Sequence, residues 1–236
     1  MLNPKYKRVI IKLSGEALAG EGGNGIDEKV LSDITDQIKA IKDLGVQIGI
    51  VVGGGNFWRG RQGKQMDAAT ADHMGMLATV INALGLQDAL ERKGVQTRVQ
   101  TAIDIIKVAE PYILRKAISH LNKDRIVIFA CGTGNPHFTT DTAAALRAAD
   151  IGADILLLAK NVDGIYDSDP KTNPKAVKYE TLSYIDFISN GLKAMDTTAI
   201  TMCMENKIPV LAFALFENDA LVRAVSGEKI GTLITK

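Results

Sequence analysis

Four glycine-rich stretches in this chain have the residue types that phosphate chemistry uses: Lys12-Leu13-Ser14-Gly15, Gly53-Gly54-Gly55-Asn56, Gly132-Thr133-Gly134-Asn135 and Val162-Asp163-Gly164. Glycine lets main-chain N–H groups approach phosphate oxygens with no Cβ in the way, and a helix start behind such a turn adds partial positive charge. Any one of these turns also serves as an ordinary strand-to-helix connection, but four together point to a phosphorylated ligand. Groups suited to moving a phosphoryl group stand around them. Lys12 would bridge donor and acceptor oxygens as charge spreads in the transition state; the plainer alternative is a solvated lysine at a strand end. Arg59 follows the triple glycine in Asn56-Phe57-Trp58-Arg59-Gly60, a place from which a planar guanidinium clamps phosphate. Asp72, near the start of a long helical pattern, either favours the helix dipole or accepts from ribose hydroxyls. In the run Thr133-Gly134-Asn135-Pro136-His137-Phe138-Thr139-Thr140, Thr139 and Thr140 can cap the helix that follows and donate to an oxyanion. Asp141 lies in the first turn of that helix, where it would repel a phosphate unless Mg²⁺ or a lysine stands between them. Its role is therefore to order those cations, unless it only caps the helix.

Two familiar nucleotide signatures do not account for these turns. The P-loop pattern G-x-x-x-x-G-K-[ST] is absent from the sequence. A literal G-x-G-x-x-G occurs at Gly20, Gly22 and Gly25, but it starts well after the first strand pattern ends, and no acidic residue closes the second strand as ribose binding requires. The segment reads instead as a mobile loop. His73, His120 and His137 show no paired ligand spacing, and Cys131 and Cys203 form no C-x-x-C, so no direct protein ligand set for a metal is expected and the cysteines read as reduced thiols. Trp58, Met74, Met76, Met202 and Met204 read as packing or interface residues.

Those residues are presented by alternating elements. Buried strands are predicted at Val9-Ile10-Ile11, 46–52, 95–99, 125–129 and 155–158, and helices at about 28–44, 67–93, 111–121 and 140–149. Asp27 reads as an N-cap, with Gly45 and Gly94 as helix stops. That alternation predicts an α/β fold, a three-layer sandwich around a central, mainly parallel sheet. After Asp163-Gly164 the texture turns to short helices, turns and strands near 210–213 and 231–234. The 236 residues are read as one domain, residues 1–236, with a soft lobe boundary near Ala153 (1–153 on the acceptor side, 154–236 on the ATP side). With 28 Lys+Arg against 27 Asp+Glu the net charge is +1, which gives no global field for nucleic acid or an anionic membrane. No apolar run reaches spanning length and no signal-like segment opens the chain, so the expected location is the cytoplasm.

The motifs jointly resemble the bacterial uridine monophosphate kinases, a family with the amino-acid-kinase fold. The resemblance runs end to end and is carried by Lys12-Leu13-Ser14-Gly15-Glu16-Ala17-Leu18, Gly53-Gly54-Gly55-Asn56 with Arg59-Gly60, Asp72 to Thr79, the Thr133–Thr140 run with Asp141, Val162 to Tyr166, Lys193-Ala194-Met195-Asp196 and Gly231-Thr232. It implies that Lys12, Leu13, Ser14, Gly15, Gly55, Arg59, Asn161, Tyr166 and Asp169 hold ATP. It likewise implies that Gly54, Asp72, Thr133, Gly134, Asn135, Pro136, His137, Phe138, Thr139 and Thr140 hold UMP, and that Lys12 and Asp141, with Arg59, serve the transfer. Mg²⁺ would come with ATP, bound through nucleotide phosphates. The resemblance further implies a homohexamer regulated by GTP and UTP, with Gly20, Glu21, Gly22, Gly23, Asn24 and Gly25 as the GTP-linked loop.

The sequence departs from the family pattern in places. Ala159-Lys160-Asn161-Val162 is one residue shorter than the A-K-N-x-V-D-G form, and Leu158 stands where other relatives carry a lysine, which leaves Lys160 as the candidate second phosphate-neutralising cation. The 60–66 loop is short, Ala68 replaces an arginine, and Phe213-Ala214 lacks the usual Phe-Asn. The expected reaction is in-line transfer from MgATP to UMP. A kinase for a carboxylate or carbamate acceptor is the rival within the fold, and a catalytically idle nucleotide sensor is the rival from another class.

Overall fold

The computed structural model describes residues 3–59, 65–170 and 172–236. Part of the short loop at 60–66 falls outside them. The apolar run after Lys7 is strand β1 (Arg8–Leu13), followed by a single helical turn α1 (Gly15–Leu18), a 3-10 turn (Gly20–Gly22), α2 (Glu28–Asp43), β2 (Gln47–Val52), α3 (Ala68–Arg92) and β3 (Thr97–Thr101). Next come β4 (Glu110–Pro111), α4 (Leu114–Asn122), β5 (Ile126–Ala130), α5 (Thr140–Ile151) and β6 (Ile155–Lys160). The last third holds β7 (Ile165–Tyr166), β8 (Lys178–Tyr179), β9 (Thr181–Ser183), α6 (Tyr184–Ser189), α7 (Thr197–Glu205), β10 (Val210–Ala214), α8 (Ala220–Val225) and β11 (Thr232–Thr235).

Among the described residues one nine-stranded sheet has the order β4-β3-β5-β2-β1-β6-β10-β11-β9, and β7 and β8 form a separate two-stranded ribbon. Every neighbouring pair of the large sheet is parallel except β10 with β11. The strands are apolar on both sides because both faces are covered. Val9, Ile11 and Leu13 of β1 pack with α2, α3 and α8 residues, while Ile10 packs with residues of α4, α5 and α7. This is the three-layer arrangement that the alternating pattern predicts.

The N-cap reading of Asp27 holds, since its carboxylate accepts from Val30 N at 2.9 Å, and Gly45 and Gly94 follow their helices at φ 83° and 79°. Replacing Asp27 with alanine is expected to cost about 1 kcal/mol. A urea titration checks this, and an unchanged midpoint would remove the cap from the account. Several boundaries differ from the sequence reading, and two of the differences have a clear cause. The third strand starts at Thr97 rather than Val95, because Val95 N–H closes the end of α3 on Leu90 O at 3.0 Å. The helix read from Pro111 starts at Leu114, because Glu110–Pro111 pairs with Gln100 and Thr101 as an edge strand, where a proline costs no ladder bond.

Candidate active site

Strands β5, β2, β1 and β6 are consecutive neighbours and mutually parallel, so their carboxyl ends lie along one edge. The four glycine-rich stretches follow these four strands. In an open parallel sheet that edge is where loops and helix starts converge on a ligand.

Lys12, next to last in β1, is 9% exposed, which excludes the solvated strand-end reading. Its Nζ lies 2.8 Å from Asp141 Oδ1 in the first turn of α5. That turn is held by Thr139, whose Oγ1 accepts from Asp141 N at 3.1 Å and Thr142 N at 3.2 Å. Thr139 is thus the cap of α5, and Asp141 is free of that duty. Lys160, ending β6, donates its Nζ to Ala194 O. Burial, and then the charge on Lys12, lower its pKa from the ordinary lysine value, while Asp141 and Glu16 act in the opposite direction. Two cations and a carboxylate thus share one partly dehydrated corner, and an incoming polyphosphate would relieve the lysine–lysine repulsion.

The turns meet closely enough to require glycine. A Cβ on Gly15 would sit 2.6 Å from Gly55 N, and one on Gly54 would sit 2.7 Å from Gly75 O and 2.8 Å from Ala78 Cβ. Gly53 N donates to Leu13 O at 2.9 Å, which ties the β2 turn to the end of β1. Arg59 reaches back over this turn, pairing with Glu16 at 2.8 Å and donating to Gly55 O at 3.3 Å.

A cleft of about 260 Å³ lies between the glycine turn, the first half of α3 and the 132–140 segment. Gly54, Arg59, Asp72, Thr133, Phe138 and Thr140 are among the residues that line it. Asp72 Oδ2 accepts from His137 N at 2.7 Å, so this carboxylate holds the segment opposite, with His137 at φ 70°. Trp58 also borders the cleft and donates Nε1–H to Ala71 O at 3.0 Å. Leu13 is buried and Ser14 caps α1, accepting from Ala17 N at 3.2 Å. Gly134, Asn135 and Pro136 belong to the segment but do not line the cleft.

Asn161, Tyr166 and Asp169 lie apart from that cleft, beyond β6. Tyr166 Oη donates to Asp163 Oδ1 at 2.7 Å, and Lys178 Nζ pairs with Asp163 Oδ2 at 2.9 Å. These contacts brace the β7–β8 ribbon beside the β6 turn. The stretch Gly20–Gly25 opens with the 3-10 turn (Gly20–Gly22), has an exposed tip, and is anchored where Gly25 N donates to Asn56 O at 3.1 Å. His120 sits between Glu110 and Arg125, well away from the cleft.

Residues 7–213 match the amino acid kinase family. The chain belongs to that family. Solved structures similar to it include the UMP kinase from Bacillus anthracis, 41% identical, with a TM-score of 0.95 over 98% of this chain and 96% of the other. The UMP kinase from Ureaplasma parvum is 40% identical, with a TM-score of 0.93 over 98% of this chain and 100% of that one. The uridylate kinase from Archaeoglobus fulgidus is 28% identical, with a TM-score of 0.73 over 96% and 99% of the two chains.

In this amino acid kinase no group of three or more His, Cys, Asp or Glu side chains stands together among the described residues. Asp141, beside Lys12, is the carboxylate that would stand at hand for a Mg²⁺ carried on nucleotide phosphate oxygens. The sequence reading quoted Thr79 and Asp196 within its motifs but gave neither a role, and these two hold the site together. Asp196 caps α7, accepting from Ala199 N at 2.8 Å, and also accepts from the hydroxyls of Thr139 and Thr142, so it locks the start of α5 to the C-terminal third. Thr79 Oγ1 accepts from Cys131 N at 2.7 Å and so fixes the left-handed residue just ahead of the 132–140 segment. Thr79 and Asn82 stand seven and ten residues after Asp72, at helical spacing along one face of α3. That face was readable in the sequence, but only as a face.

Proposed function

We propose that this amino acid kinase is a UMP kinase, transferring the γ-phosphoryl group of MgATP to the 5′-phosphate of UMP to give ADP and UDP in pyrimidine nucleotide synthesis. The observation that carries the reading is the Lys12–Asp141 pair at 2.8 Å, set where the turns of β1, β2 and β5 converge beside the cleft. The 41% and 40% identities to UMP kinases support the choice of acceptor.

UMP presents a phosphate monoester whose second pKa is about 6, so it is largely dianionic at neutral pH and attacks without a general base. A UMP oxygen forms the new bond to the γ-phosphorus as the bond to the β,γ-bridging oxygen breaks. Catalysis is then positioning plus charge neutralisation. Lys12 neutralises the moving group, Lys160 and Arg59 steady the ATP phosphates, and Asp141 orients Lys12. Bound Mg²⁺ would add positive charge on the polyphosphate. Gly54, Asp72 and residues 133–140 hold UMP; residues 12–15, Gly55, Asn161, Tyr166 and Asp169 hold ATP. The acceptor side is residues 1–153 and the ATP side 154–236 of one domain. A coupled ADP-release assay offering UMP, CMP, acetylglutamate and carbamate tests the reading. Turnover is expected with UMP, and turnover only with one of the acids, or with none, contradicts it.

We further propose a cytoplasmic homohexamer that responds to GTP and UTP, with residues 20–25 taking part in the GTP response. No helix among the described residues is long and apolar enough to cross a membrane, and the two buried free cysteines suit a reducing compartment. For assembly the support is α3, where Leu77 and Ile81 are 51% and 49% exposed one turn apart. Such a face asks for a partner. Leu77→Glu with Ile81→Glu is expected to shift the light-scattering mass to a smaller species, and an unchanged mass would exclude this face.

A further inference from the structure

Asn82 lies in the middle of α3, 0% exposed, and makes no contact with the cleft described above. A buried carboxamide is costly unless its donors and acceptor are met. Here all three are met at one place. Nδ2 donates to Gly53 O at 2.7 Å and to Asn56 Oδ1 at 2.7 Å, and Oδ1 accepts from Asn56 Nδ2 at 2.9 Å. Asn56, 3% exposed, also donates Nδ2–H to Gly25 O at 2.6 Å and accepts Gly25 N–H on its own carbonyl at 3.1 Å. The reciprocal amide pair is therefore fixed at both ends, by a long helix on one side and by the Gly25 main chain on the other.

What the pair holds is the carbonyl of the first glycine in the triple-glycine turn. The Gly53 carbonyl and the Gly54 N–H belong to one planar trans peptide and point in opposite directions. Drawing the carbonyl inward to Asn82 turns the Gly54 N–H the other way, and Gly54 lines the cleft. A glycine pair has no side chain to fix that plane, so the direction has to come from outside the turn.

We propose that Asn82, steadied by Asn56, is a positioning residue for the transfer, setting the direction of the Gly54 N–H toward the acceptor phosphate; this rests on the kinase reading given above. Neither carboxamide touches substrate. Loss of the pair should blunt the step in which the phosphates must be aligned more than it weakens nucleotide binding.

Two variants test this, after wild-type transfer to UMP has been measured, because an inactive wild type would sink the kinase reading and not this inference. Asn82→Leu is expected to lower kcat by about tenfold to a hundredfold while the KM values for UMP and ATP move less than about threefold. Asn82→Asp keeps the shape but offers a donor to Gly53 O only while its carboxyl is protonated. The nearby charged groups, Glu16 and Arg59, pair with each other, and Asp27 is engaged in capping α2. The ratio of this variant's kcat to that of wild type should therefore fall as pH rises. A folded Asn82→Leu enzyme with wild-type kcat, or an Asn82→Asp profile parallel to wild type, overturns the proposal. If the leucine variant does not fold, the aspartate profile decides alone.

Discussion

Lys12→Ala is expected to lower kcat by about a thousandfold or more, the scale seen when a group that stabilises charge only in the transition state is removed. Lys12 is buried at the end of β1 and its ammonium is already held by Asp141, so no reorganisation is needed when phosphates arrive. The substitution also strands a carboxylate that is 17% exposed, and the variant should lose stability through that orphaned charge. The double variant Lys12→Ala, Asp141→Ala separates the two effects, recovering thermal stability while remaining inactive. Steady-state kinetics with UMP, alongside thermal melts, give both readings. Near-normal turnover in the single variant would remove Lys12 from the mechanism.

Gly15→Val is expected to be the next most damaging change. The added Cβ would sit 2.6 Å from the backbone nitrogen of Gly55, and backbone on that side cannot swing away as a side-chain tip can. Gly53 is bonded to Leu13 O and Gly54 is pressed against α3, so the β1 and β2 turns must separate. Overpacking of this kind costs about 1–3 kcal/mol, and a displacement of about 1 Å at a phosphate site costs about a hundredfold in rate. The expected result is a folded enzyme with a lowered melting temperature and kcat/KM for UMP reduced by about a hundredfold or more. A valine variant with both values unchanged would show that the two turns do not meet as described.

The parts legible in the sequence are those with strong local signals. The apolar runs at β1, β2, β5 and β6 are short, a glycine-bearing turn follows each, and they proved to be four adjacent strands. Their order in the sheet was not legible, because periodicity says which residues are buried and nothing of which strand pairs with which. Pro111 misled in a simple way: a proline ahead of an amphipathic stretch reads as a helix start, yet an edge strand tolerates it equally well. The two-residue strands β7 and β8 carry no periodicity at all. At the site, Lys12, Arg59, Asp72 and Asp141 stood out by type and position. Asn82 carried no signal, and Asp196 entered only within the Lys193-Ala194-Met195-Asp196 motif, with no role of its own. Only tertiary contact reveals that one grips a glycine carbonyl and the other the start of α5.

The central claim is that the convergent turns bring the terminal phosphate of ATP onto the phosphate of UMP. A single-turnover reaction with γ-labelled ATP, enzyme in excess and UMP present, tests it most directly. The account predicts that the label appears in the β-phosphate of UDP at the rate at which ATP is consumed. Label released as inorganic phosphate, or ATP left intact with millimolar UMP, would contradict it.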